Sequence, residues 1–309
     1  MVLKKFLRRI LLFFIPFFVI AAAVLIIDPY NYFFSHNFIS NAVKFHVINR
    51  SAESMPRGNT LWKTIDYKRH PLLNVIIGDS RAYDLDVDKI RNLTGVEFYN
   101  FGVPGGNYNS IIETFWYINE RNKPERVFIQ VGFHNYSASC SYNLMSDARK
   151  VCRRPYLFFS RFYFLEESVL DVFYAITKRP LVSMEQKFDL ATWNGILVNQ
   201  GESALESMEY PEKYYEELKK ISGYCRANNI ELNFIIFPDQ QDFHDLVKQH
   251  SLMDRYAKFK TDMHSLGRVY DFDEFNSELS KKRSNYRDIF HLQHYLIDSC
   301  IVENVFKNN

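Results

Sequence analysis

The sequence predicts an α/β protein built on a parallel sheet of about five strands, preceded by one transmembrane helix. Three observations carry that expectation. From residue 71 onward, short continuous apolar runs alternate with helical patterns, and strands apolar on both faces belong to parallel sheets covered on both sides. Several of these runs stop at glycine or small polar residues, where open α/β sheets bind their ligands. The first 27 residues hold a run of a different kind, residues 10–27, without a single charge.

That run spans about 27 Å as a helix, close to the thickness of a bilayer core. Lys4, Lys5, Arg8 and Arg9 precede it, Pro16 lies inside it, and Asp28-Pro29 closes it. A membrane helix tolerates such a proline. The positive-inside rule then places the N-terminus in the cytoplasm and residues 28–309 outside, a single-pass arrangement. The competing reading is a cleaved signal peptide, because Ala21-Ala22-Ala23 resembles a cleavage site. The apolar run, however, continues for four residues beyond it.

Residues 28–70 form a juxtamembrane segment with no clear period. Strands are expected at 73–77, 96–101, 127–131, 232–237 and 269–272, and helices at 107–122, 211–228, 252–266 and 292–306. The domain 71–309 is interrupted at about 133–210. Cys140 and Cys152 in this insertion can close a loop in an oxidising exterior, whereas Cys225 and Cys300 fall in helices, bridged or simply buried. An aromatic stretch follows at 156–176. As a helix it gathers Ser160, Glu167, Ser168 and Asp171 on one narrow stripe and leaves the rest apolar. It is either the core helix of an inserted subdomain or a face that rests on the membrane or docks a membrane partner.

Charge narrows the function classes. There are 38 Lys and Arg against 36 Asp and Glu, and four of the bases precede residue 10, so the remainder is close to neutral. A general nucleic-acid-binding surface is not supported. No Cys-x-x-Cys pair exists, which argues against zinc or thioredoxin-type chemistry. Nothing in the sequence calls for a cofactor.

The chemistry concentrates at strand ends. Ser80 follows the first strand in VIIGDSRAYDLD, where its hydroxyl is exposed and its N–H can face an oxyanion. Gly-Asp-Ser alone also makes an ordinary turn. Near the C-terminus stands Asp288-Ile-Phe-His291. A nucleophilic serine needs a base and the base an orienting carboxylate; an Asp three residues before a His can reach Nδ1 and leave Nε2 for the serine. After the second strand comes Asn100-Phe101-Gly102-Val103-Pro104-Gly105-Gly106, whose glycines let backbone N–H groups approach a substrate. The third strand ends in Gly132-Phe133-His134-Asn135, where His134 or Asn135 offers a side-chain donor.

With these residues the chain resembles the SGNH/GDSL hydrolase superfamily over about residues 72–138 and 228–306. Gly78-Asp79-Ser80 is similar to its first block, Asn100 to Gly105 to its second, Asn-x-x-x-x-Gly, and Asp288-x-x-His291 to its last. The resemblance implies a flavodoxin-like three-layer sandwich. It also implies a triad of Ser80, His291 and Asp288, and an oxyanion hole from Ser80, Gly105 and Asn135. The third block departs: the family reads Gly-x-Asn-Asp, whereas His134 stands here at the Asn position and Asn135 at the Asp position. An anchor followed by such a domain is similar to the accessory proteins of envelope acylation, which act beside a membrane-bound O-acyltransferase.

Other residues carry alternatives. His294 extends the run to Asp288-x-x-His291-x-x-His294, as an alternative base, a substrate contact, or with Asp298 a metal ligand; no third ligand is identifiable, so no metal is expected. Arg81 either binds an anionic group of the substrate or pairs with Asp84 or Asp86. Aromatic residues near Trp193 can stack on sugar rings. His36, His46, His70, His244, His250 and His264 have no partner pattern. The expected function is a membrane-anchored extracytoplasmic serine esterase or O-acyltransferase acting on acyl esters of cell-envelope glycans. The alternatives are a non-catalytic adaptor that holds glycan or a membrane O-acyltransferase, and a lipid esterase.

Overall fold

A computed structural model describes residues 2–34, 38–50, 54–140, 142–179 and 189–307; His36 lies outside them. The chain divides into two compact units, each assembled from two stretches of sequence: Met1–Asp66 with Asp147–Met184, and Tyr67–Ser146 with Glu185–Asn309. Residues 28–66 of the juxtamembrane segment and 147–184 of the expected insertion thus belong to the first unit, and the rest of the insertion to the second.

The second unit holds the sheet. Its strands are β1 (Asn74–Gly78), β2 (Tyr99–Gly102), β3 (Arg126–Val131), β4 (Glu231–Ile236) and β5 (Arg268–Asp271). All pair in parallel, in the order β2-β1-β3-β4-β5. This is the flavodoxin-like doubly wound order, and the winding reverses between β1 and β3. Every residue of β1 is buried, and in a pleated strand that requires cover on both faces. Val75, Ile76, Ile77, Val127, Phe128, Ile129, Phe234, Ile235 and Ile236 form the centre of the core. Burying each such side chain contributes about 1.5–3 kcal/mol.

Three expected helices are found at Tyr108–Arg121, Glu212–Ala227 and Met253–Leu266. Asn107 starts the first, its Oδ1 accepting from Ser110 N at 3.0 Å. The last expected helix carries a π turn, Ile297–Val302, between His294–Leu296 and Glu303–Phe306. Helices beyond the expected set include Val87–Thr94, capped by Asp86 and ended by Gly95, Gln241–Gln249 and Leu190–Ile196.

In the first unit, Lys4–Ile27 is one helix long and apolar enough to cross a membrane. It ends at Asp28, whose carboxylate accepts from the N–H groups of Tyr32, Phe33 and Phe34 at 2.7, 2.8 and 2.8 Å. Lys44 Nζ binds Asp28 O at 2.8 Å and Asn31 Oδ1 at 2.6 Å. The segment without sequence period contains the helices Asn41–Ile48 and Ser54–Arg69. The aromatic stretch forms Leu157–Ser160 and Phe162–Thr177, parted at Arg161, whose backbone is extended. Val24, Tyr30, Ile48, Leu61, Phe158 and Phe164 share this unit's main core. All four cysteines are free thiols, so the bridge between Cys140 and Cys152 is not formed. The Cys140 sulfur instead accepts from Asn107 Nδ2 at 3.2 Å.

Candidate active site

The carboxyl ends of the strands lie side by side: Gly78 pairs with Gly102, Val131 with Ile236, and Ile236 with Asp271. Ser80 begins the short helix Ser80–Tyr83, which Asp79 caps through Arg81 N. As the first residue of that helix its own N–H has no intrahelical acceptor. Asn100 ties the helix down: its Nδ2 donates to Ala82 O and Leu85 O at 2.8 and 3.0 Å, and its Oδ1 accepts from Gly102 N at 2.6 Å.

The residues expected to act together do meet. His291 Nε2 stands 2.7 Å from Ser80 Oγ, and His291 Nδ1 stands 2.8 Å from both Asp288 oxygens. Asp288 Oδ1 also accepts from the N–H groups of Phe290 and His291 at 2.8 and 2.9 Å, which fixes the turn between acid and imidazole. Burial alone would raise the Asp288 carboxyl. Its hydrogen bonds with His291 and the two backbone donors outweigh that and hold it below the usual range. Nδ1 therefore carries the proton toward an ionised carboxylate, and Nε2 is left to accept from Ser80. His294 is exposed and stands outside this chain. Asp298 is paired with Lys89 at 2.5 Å, and among the described residues no group of three or more His, Cys, Asp or Glu could hold a metal.

Arg81 corrects the expectation. It is 2% exposed and cannot reach out to a substrate. It pairs with Asp79 at 3.2 Å and with Asp239 at 3.1 Å rather than with Asp84 or Asp86; Asp84 pairs with Arg287. Its Nη2 lies so close to Gly132 that a Cβ there would sit 1.9 Å from it. Burial raises the Asp79 carboxyl, but Arg81 and the hydrogen bonds around it prevail and set it at about 2. Beyond Arg81 the polar network continues. Asp239 N donates to Asp273 Oδ1 at 2.9 Å, and the same oxygen meets His244 Nε2 at 2.7 Å. Burial and the neighbouring Asp273 push Asp239 upward, while His244 and Tyr256 hold Asp273 down. His244, without a partner pattern in the sequence, is thus bonded to an acid that follows β5.

The third block also differs from expectation. Asn135 Nδ2 donates to Asp79 Oδ2 at 3.2 Å and to Gly106 O at 3.3 Å. Both amide hydrogens are spent inside the protein, so in this arrangement Asn135 has none left for a substrate oxygen. His134 takes a different position. Its Nδ1 lies 3.1 Å from Arg81 Nη2; a guanidinium only donates, so Nδ1 accepts and Nε2 carries the hydrogen. That N–H stands 3.7 Å from Asp79 Oδ2, beyond hydrogen-bond reach. Burial first, and Arg81 second, lower the imidazole to about 3, keeping it neutral. Phe290 packs against its ring at 4.5 Å between centroids.

Gly105 has a φ of 70°, left-handed backbone that favours glycine. Among the described residues neither Ser80 N nor Gly105 N donates within the protein. Trp193 is not open for sugar stacking: it is mostly buried, donates to Asp242 at 2.9 Å and is covered by Arg283. It lines a cavity of about 380 Å³ with Leu190, Tyr286, Arg287 and Gln293, the last three from the loop that carries His291. Sequence reasoning missed Gln130, Asp239 and Asp273. Gln130 had a signal, a lone amide within the apolar run VFIQV; its side chain accepts from Asp79 N at 2.8 Å.

No family model matches the chain, and no curated protein does. A solved structure provisionally described as a platelet activating factor from Streptococcus pneumonia is similar at 11% identity and a TM-score of 0.42, covering 87% of this chain and 99% of that one. The reading of the site therefore rests on its own geometry.

Proposed function

We propose that this chain is a serine esterase or O-acyltransferase that acts on acyl esters. The contact of Ser80 Oγ with His291 Nε2 at 2.7 Å, with Asp288 behind the imidazole, carries the reading. Ser80 Oγ attacks the acyl carbonyl as its proton passes to Nε2, and Asp288 stabilises the imidazolium. The oxyanion is held by the N–H groups of Ser80 and Gly105 and, as third donor, by His134 Nε2–H in place of the family's asparagine. Collapse expels the alcohol, which leaves with the proton from Nε2. Water or a second hydroxyl then gives its proton to Nε2 and attacks the acyl-serine, and Ser80 recovers its hydrogen.

The apolar helix Lys4–Ile27, with the four bases at its N-terminal end, supports a membrane anchor with the catalytic unit outside the cytoplasm. Together with the resemblance to envelope-acylation proteins it favours acylated cell-envelope glycans as the substrate class. A membrane-bound O-acyltransferase is the partner that would supply or receive the acyl group. A fluorophosphonate probe tests the catalytic reading on the full chain in membranes. Labelling is expected at Ser80, and to vanish in Ser80→Ala and fall sharply in His291→Ala. Folded wild-type protein that stays unlabelled would replace this reading with that of a non-catalytic adaptor.

A further inference from the structure

The helix Phe162–Thr177 is built inside out. Its polar residues Glu167 and Asp171 are 0% and 1% exposed, while Phe162, Val169, Phe173 and Ile176 are 77%, 59%, 44% and 76% exposed. At 100° per residue those four apolar positions fall within a stripe of about 60°, opposite the acids. In water each would forgo about 1.5–3 kcal/mol of burial. The buried side gains little in exchange: no hydrogen bond reaches either carboxylate, and Arg50 Nη2 stands 3.8 Å from Glu167 Oε1. Polar groups turned inward and apolar side chains turned outward suit surroundings more apolar than water.

Two further observations indicate what those surroundings are. The helix packs through Val172, Tyr174 and Ala175 against Ile27, and through Phe164 into the core that contains Val24. Its apolar stripe thus belongs to the same unit as the end of the span-length helix. Exposed cations flank it, with Arg153, Arg154 and Arg161 before and Lys178 and Arg179 after. None of the five makes an ion pair among the described residues. Long cationic side chains at the ends of an apolar helix reach anionic headgroups while their stems lie along the acyl region.

We propose that Phe162–Thr177 lies in the interfacial layer of an anionic bilayer. Phe162, Val169, Phe173 and Ile176 sit among acyl chains, and Arg161, Lys178 and Arg179 meet the phosphates. This inference does not depend on the catalytic reading. The test uses the full chain in nanodiscs, with Phe162→Trp and Ile176→Trp each compared with the wild type and its three tryptophans. Lipids brominated in the upper acyl chain should quench about half of the added emission, and acrylamide little of it. Quenching should weaken in purely zwitterionic discs, and Arg161→Gln, Lys178→Gln and Arg179→Gln together should remove that dependence. Quenching by acrylamide but not by bromolipid would place the stripe in water. Protection from both would mean that protein covers it. Equal quenching in anionic and zwitterionic discs would remove the headgroup contacts. Each of these results overturns the proposal.

Discussion

Replacing His134 by alanine tests the third oxyanion donor while leaving Ser80, His291 and Asp288 in place. Losing one such donor costs about 10²–10³ in kcat, roughly 3–4 kcal/mol of transition-state stabilisation, and KM should move far less. His134→Asn restores an amide N–H and an acceptor for Arg81, and should recover much of the loss. Stability supplies a second, independent magnitude. The imidazole is held at about 3 in the fold by burial and by Arg81, against about 6.5 in the unfolded chain. A depressed folded value means that the neutral ring contributes stability fully present above about pH 6.5 and lost as pH falls toward 3. By pH 5 the loss is about 1.5 units, or roughly 2 kcal/mol. His134→Ala should therefore lose less stability than the wild type between pH 8 and pH 5. The assays are hydrolysis of a short p-nitrophenyl ester, with kcat and KM separated, and thermal unfolding at the two pH values. A His134→Ala enzyme within about threefold of wild-type kcat would refute the donor assignment. An acid limb as steep as the wild type's would refute the neutral ring.

Two further outcomes follow from the geometry. Asp288→Asn places an amide donor against His291 Nδ1 and favours the wrong tautomer, so kcat should fall by about 10⁴ with KM little changed; full activity in that variant would remove Asp288 from the mechanism. Glu167 and Asp171 are raised to about 7 and about 8, chiefly by burial. Because their folded values lie above the unfolded ones, the contribution of these two groups to the stability of their unit is fully present below about pH 4 and is lost as pH rises toward 8, by an amount on the order of a few kcal/mol. Glu167→Gln with Asp171→Asn should flatten that decline in a scan of Tm from pH 5 to pH 9, and an unchanged slope would sink the argument.

The sheet and the serine, aspartate and histidine were legible because each leaves a local mark. β1, β3 and β4 are continuous apolar runs, and Asp288 and His291 are close enough in sequence for their spacing to carry the geometry. The network around Arg81 leaves no such mark. Its partner Asp239 is 158 residues away, and only the parallel register of β1, β3 and β4 brings the two together. The role of Asn135 is hidden for the same reason, since its amide hydrogens go to Asp79 and to the carbonyl of Gly106, both beyond other strand ends. At 156–176 the polar stripe was visible, but which side faced the protein was not: periodicity reports two faces, and packing decides between them. Ser160, placed on that stripe, is exposed because the helix breaks at Arg161.

The interleaving of the two units along the chain orders events during synthesis. Residues 67–146 carry β1, β2 and β3 and leave the ribosome before residues 147–184 emerge to complete the first unit. Val24 and Tyr30 then wait for Phe158 and Phe164, an interval of roughly 7–27 s at about 5–20 residues per second. Meanwhile the three-stranded half-sheet lacks β4, so the edge of β3 stays open until the last third of the chain emerges. A premature stop before residue 184 would therefore release two incomplete bodies rather than one finished and one missing. Such a product holds neither the completed core of the first unit nor the full sheet of the second.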